Sequence, residues 1–114
     1  MWRNKVRNEL REDFIVINPC TFIPDTITPE VEKECMAWDL WQVKHSDIII
    51  CDFSHPGSIG TTWELAVAKE NDIPIIGVYT NGEVKVHPWW EMTAIRICYD
   101  IDDLIDYVSL FYRE

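Results

Sequence analysis

The chain has 114 residues, 47% of them hydrophobic, which suits one domain around one core and leaves little room for a second. Twenty acidic against ten basic side chains give a net charge of −10, which repels a phosphate backbone and argues against duplex DNA or RNA as partner. No apolar run approaches the roughly 20 residues of a membrane span, and the charged start of the chain does not read as a signal peptide.

In chain order, residues 2–11 are expected to be helical, with Val6 and Leu10 spaced for one buried face. Residues 14–17 form a short β-rich run ended by Asn18-Pro19, and a loop with Pro24 and Asp25 follows. Thr28-Pro29-Glu30 starts a helix, with Thr28 as N-cap and Pro29 in the first helical position. It should run to about Lys44 and bury Val31, Cys35, Trp38, Leu40 or Trp41 in part. Residues 48–53 are nearly all apolar apart from Asp52, as expected of a central parallel strand covered on both faces.

A turn, His55-Pro56-Gly57-Ser58-Ile59-Gly60, leads to a helix from about Thr62 to Glu70, closed by Asn71-Asp72. Residues 75–79 and 95–99 are the next strands, with a turn at Asn81-Gly82 between them, and residues 101–112 are the last helix. Alternating strands and helices predict an α/β fold: a flavodoxin-like or Rossmann-like three-layer sandwich with a mostly parallel sheet of four or five strands. Such a domain normally opens with a strand in the middle of the sheet, and here that strand is apparently missing. An upstream segment, closure as four strands, or a partner chain would each supply the unpaired edges.

Cys20, Cys35, Cys51 and Cys98 show no C-x-x-C spacing, and Cys51 and Cys98 lie in apolar runs as core residues. A reduced, cytoplasmic protein is the expectation. Six tryptophans should mostly fill the core or a subunit interface; Trp89 and Trp90 are candidates for stacking on a base or covering a dimer contact. His45, His55 and His87 are scattered and read as surface residues, not metal ligands.

In open parallel sheets, ligands bind beyond the carboxyl ends of the strands, which is where the turn from Ser54 to Thr61 falls. Gly57 and Gly60 permit close backbone approach, and free amides at the helix start, with the Ser58 and Thr61 hydroxyls, can hold an anion or a single nucleotide. Glu64 is placed in the first helical turn, where the dipole favours its ionised form. An ionised carboxylate beside a sugar can attack the anomeric carbon and divide one difficult displacement into two easier ones. Thr61-x-x-Glu64 reads equally as a capping box, with the glutamate returned to the N-cap amide. Asp47 and Asp52 shape strand ends, Asp52 lying near enough to the mouth to touch a ligand.

The segments Ser46-Asp47-Ile48-Ile49-Ile50-Cys51-Asp52-Phe53-Ser54, Ser58-Ile59-Gly60-Thr61-Thr62-Trp63-Glu64-Leu65-Ala66 and Ile73-Pro74-Ile75-Ile76 resemble the nucleoside 2-deoxyribosyltransferase family. That family includes the 2′-deoxynucleoside 5′-monophosphate N-glycosidases, and the similarity extends over the first helix and Val16-Ile17-Asn18-Pro19. The resemblance implies that Glu64 is the nucleophile of a glycosyl-enzyme intermediate and that Asp39 contacts the deoxyribose and assists proton transfer. It implies that Ser58, where transferases acting on free nucleosides tend to carry aspartate, meets a 5′-phosphate, since a neutral hydroxyl tolerates the charge. Gly57, Gly60, Thr61 and Asp52 would line the substrate, and Thr93 is the nearest match to a hydroxyl donated by a neighbouring subunit. A homodimer or larger homo-oligomer follows by family analogy. A carboxylate nucleophile and an acid suffice, so no metal or organic cofactor is expected.

One departure stands out: the family's opening strand and its loop have no counterpart before Trp2. Residues 56–64 also resemble the P-G-G-x-G-T-x-x-E motif of the cytokinin-activating phosphoribohydrolases, with Ser58 replacing the second glycine and the upstream glycine-rich signature absent. A third reading is a nucleotide-binding or oligomerisation module that kept the fold without catalysis.

Overall fold

The structure, a computed structural model, describes residues 2–11, 14, 28–54, 59–81 and 87–112. Within them the elements run α1 (Trp2–Leu10), α2 (Pro29–Lys44), β1 (Ile49–Asp52), α3 (Ile59–Glu70), β2 (Ile75–Val78), α4 (Pro88–Glu91), β3 (Arg96–Cys98) and α5 (Ile101–Tyr112). The strands form a parallel sheet in the order β1-β2-β3, with Ile49 opposite Ile75 and Ile76 opposite Arg96. The α/β class is as expected, but three strands are described, not four or five. Of the run 14–17, Phe14 is not in a strand and the others lie outside the described residues.

The two-residue period of the strands divides the core in two. Ile76 and Val78 of β2 and Cys98 of β3 face α1 and α5, packing with Val6, Leu10, Leu104 and Val108. Ile75 and Tyr79 face the other way, with Phe53, Val43 of α2, Leu65 and Ala68 of α3, and Trp90 of α4. All four β2 residues are buried, whereas all four of β1 are half-buried. Among the described strands β2 is central, and β1, expected to be a central strand, has β2 as its neighbour there.

Helix boundaries follow local chemistry. Thr28 caps α2 as expected: its hydroxyl accepts the Val31 N–H at 3.2 Å, with Pro29 in the first turn. Thr28→Ala should cost about 1 kcal/mol, read from equilibrium urea unfolding, while Thr28→Ser should cost little. Asp100 caps α5, accepting the Asp103 N–H at 2.7 Å. Asp72 ends the turn after α3 at φ 57°, a left-handed conformation that aspartate tolerates.

As its pattern suggests, α2 buries Val31, Cys35, Trp38 and Leu40 in part, while Trp41 is exposed; its one fully buried residue is Val43. Its apolar residues are spread around the helix, so a single neighbouring helix, α3, cannot cover them all. Of the tryptophans, only Trp90 is buried, which removes it as a stacking platform and leaves the exposed Trp89. No helix among the described residues is long and apolar enough to cross a membrane.

Candidate active site

The carboxyl ends of β1 and β2 are tied together by side chains where the backbone ladder stops. The last ladder bond runs from Phe53 N–H to the Val78 carbonyl at 2.8 Å. Beyond it, Asp52 accepts the Ser54 N–H at 2.9 Å with one carboxylate oxygen and the Thr80 hydroxyl at 3.0 Å with the other. Ser54, buried, accepts the Thr80 N–H at 2.7 Å and the Asn81 N–H at 3.3 Å. Asp52 therefore holds strand ends, one of the two roles its position suggested. Gly57 and Ser58, like His55, lie outside the described residues.

α3 begins at Ile59, not near Thr62, so Gly60 and Thr61 fall in its first turn. An N-cap needs non-helical backbone, so Thr61 is not the cap and the Thr61-x-x-Glu64 capping box does not form. Glu64 moves into the second turn. The macrodipole fades within the first turn, and its expected support for the charged form is overtaken there. Burial pushes the Glu64 carboxyl above the usual glutamate range, the negative charge of Asp39 adds to this, and Arg3 opposes it.

That electrostatic pairing identifies the neighbourhood. Asp39 sits half-buried on α2, α2 packs against α3, and Glu64 is half-buried on α3. Cys51 of β1 belongs to the same neighbourhood; its thiol is pushed up to about 12, by burial first and then by Asp52 and Glu64. So raised, it stays a neutral thiol and not a nucleophile at physiological pH. Arg3, from the start of α1, is a positive charge in this cluster, acting on both Glu64 and Cys51. The charge of Asp39 is thus felt at Glu64, and that of Arg3 at both Glu64 and Cys51. Neither Arg3 nor Cys51 is singled out by the sequence as a site residue.

An apolar groove of about 490 Å³ runs along the other side of α3, lined by Ile59, Thr62, Trp63, Ala66 and His87. Glu64 is not among the residues that line it. The chemistry of interest therefore belongs to the α2–α3 side, where Glu64 keeps partial access to solvent. Thr93 follows α4, and its hydroxyl donates to the Trp90 carbonyl at 2.6 Å, an engagement inside its own turn. His45 is exposed at the end of α2, stacked on Trp41 with its Nδ1 2.8 Å from the Trp41 carbonyl. His87 precedes α4, its Nδ1 buried with no hydrogen-bond partner among the described residues. Among the described residues, no cluster of histidine, cysteine or carboxylate could hold a metal ion.

No family model and no curated protein sequence matches the chain.

Proposed function

We propose that the chain cleaves the N-glycosidic bond of 2′-deoxynucleosides or their 5′-monophosphates, through a covalent deoxyribosyl intermediate on Glu64. The observation that carries this reading is the half-buried Glu64 carboxyl, raised in pKa first by burial and then by the charge of Asp39 on the neighbouring helix. Perturbed carboxylates in such a setting are the mark of a site. The resemblance of residues 46–76 to the deoxyribosyltransferases adds the substrate class.

In the first step a Glu64 carboxylate oxygen attacks C1′ and the C1′–N bond breaks. The bonding electrons leave with the base, which takes a proton from solvent, relayed through the Asp39 carboxylate, so that Asp39 ends the step in the state in which it began. In the second step water or another nucleobase attacks C1′, loses its proton, and returns Glu64 as a free carboxylate. A more basic carboxylate is a better nucleophile, provided the pH lies above its pKa. Ser58, as a neutral donor, would accept a 5′-phosphate, with Gly57, Gly60 and Thr61 around it. With this reading go a flavodoxin-like sheet of four or five strands, a homo-oligomer and a cytoplasmic location.

Chromatography after incubation with each deoxynucleoside and each 5′-monophosphate tests it, with Glu64→Ala as control. Free base indicates a hydrolase and an exchanged base a transferase. Turnover of dAMP but not AMP separates this reading from the phosphoribohydrolase type, which must accommodate a 2′-hydroxyl. Ligand binding with no base released by the wild type would overturn it in favour of a binding module.

The pH profile gives a second expected result. Activity requires Glu64 ionised, so its acid limb should lie above the ordinary glutamate range. Asp39→Asn removes a repelling charge, so the limb should move to lower pH whatever happens to the maximal rate. Arg3→Gln removes an attracting charge and should move it to higher pH. Unmoved limbs in both variants would show that another group governs the profile.

A further inference from the structure

α3 is gripped on both flanks. On one, α2 packs along it, and the charge of Asp39 on α2 is felt at Glu64. On the other, the indole N–H of Trp90 donates to the Thr62 hydroxyl at 2.9 Å. Residues two apart on a helix are turned by about 200° around its axis, so Thr62 and Glu64 leave α3 on nearly opposite sides.

Leu65 and Ala68 bury α3 against the sheet, and the hydrogen bond to Thr62 adds a directional constraint to that packing. A hydrogen bond is directional, and a buried indole N–H left without a partner is costly. Trp90 is itself well placed to act as a fixed point. It is 2% exposed, its ring lies 5.8 Å from that of Phe53, and its carbonyl is held by the Thr93 hydroxyl.

We propose that Trp90 is a positioning residue for Glu64: through Thr62 it sets the rotation of α3, and so the direction in which the Glu64 carboxylate leaves the helix toward Asp39 and the substrate. The kinetic consequence rests on the glycosidase reading; the structural one does not.

The test compares Thr62→Val, which removes the acceptor at nearly constant volume, with Thr62→Ser, which keeps it, and with Trp90→Phe, which removes the donor. Two quantities are measured: kcat and KM on a 5′-deoxynucleotide, and the titration of the Glu64 side-chain carboxyl by carbon-13 NMR. Thr62→Val and Trp90→Phe should lower kcat by about tenfold to a hundredfold with KM nearly constant. They should also move the Glu64 titration down toward the ordinary range, as the carboxyl turns away from Asp39. Thr62→Ser should match the wild type. Should Trp90→Phe not fold, Thr62→Val at its exposed position decides the matter alone.

Wild-type kcat and an unmoved Glu64 titration in Thr62→Val would overturn the proposal and leave the glycosidase reading standing. Equal losses in the serine and valine variants would also overturn it, because the effect would then be packing and not the hydrogen bond. If the wild type releases no base, the glycosidase reading falls and the titration by itself decides the positioning role.

Discussion

Glu64→Gln should lower the rate of base release by at least about a thousandfold while leaving substrate affinity within a small factor. Glutamine keeps the size and much of the hydrogen-bonding capacity of glutamate but cannot form the ester to C1′. The same substitution should make the protein more stable at neutral pH. Glu64 has a folded-state pKa raised above its unfolded value, so its ionised form is disfavoured by folding. That penalty is fully present above the raised pKa and disappears as the pH falls below the ordinary glutamate range. The variant should therefore melt above the wild type near pH 7, with the gap closing on acidification. A carboxylate retained at a cost to stability is what a functional group looks like. Equal melting temperatures at all pH values, together with unchanged base release, would deprive Glu64 of any special role.

Gly77→Ala should be the most damaging small substitution in the core. Gly77 lies on β2 facing Phe53, and a β-carbon there would stand 2.6 Å from the ring Cδ2 and Cζ and closer still to Cε2. Contacts that short require displacement, and the ring has nowhere to go. Phe53 is 1% exposed, edge-on to Tyr79 and tilted against Trp90. Overpacking of this kind typically costs about 1–3 kcal/mol, and the rigid surroundings put this case near the top of that range. Chemical unfolding should show the loss, with a melting temperature lower by roughly 10 °C. Adding Phe53→Leu should recover part of it by removing the atoms in collision. A Gly77→Ala protein as stable as the wild type would mean that the ring does not lie over the strand.

Periodic elements were legible from the residues alone. α5 runs over the expected positions because Ile101, Leu104, Ile105 and Val108 keep a helical period. The start of α2 was legible because Thr-Pro-Glu is cap chemistry. The start of α3 was not, since glycines that favour a turn and a Thr-x-x-Glu spacing that favours a cap both pointed too far along the chain. In fact Gly60 and Thr61 are helical, a local preference overridden by the packing of Leu65 and Ala68. α4 escaped notice because four residues carry too little periodicity. An apolar run reads the same in a central strand as at an edge, because strand order is decided by partners far along the chain.

The candidate site was half legible. Glu64 and Asp39 were found through resemblance, but their proximity depends on how α2 lies against α3. Arg3 and Cys51 joined them only in three dimensions. The Asp52–Ser54–Thr80 bridge joins two strand ends distant in sequence, with no spacing to announce it. A β2 strand ending in Tyr79-Thr80, beside one ending in Asp52-Phe53-Ser54, was a signal of polar residues at matching strand ends. It becomes readable only once the parallel register is known.

The proposal that Glu64 bonds to a sugar is tested most directly by acid quenching during turnover of a deoxynucleotide, followed by peptide mass spectrometry. The expected result is a deoxyribose or deoxyribose-phosphate adduct on the peptide containing Glu64, formed within the first turnover and absent from Glu64→Gln. Base released with the adduct on another residue, or released equally well by the Glu64→Gln protein, would contradict it.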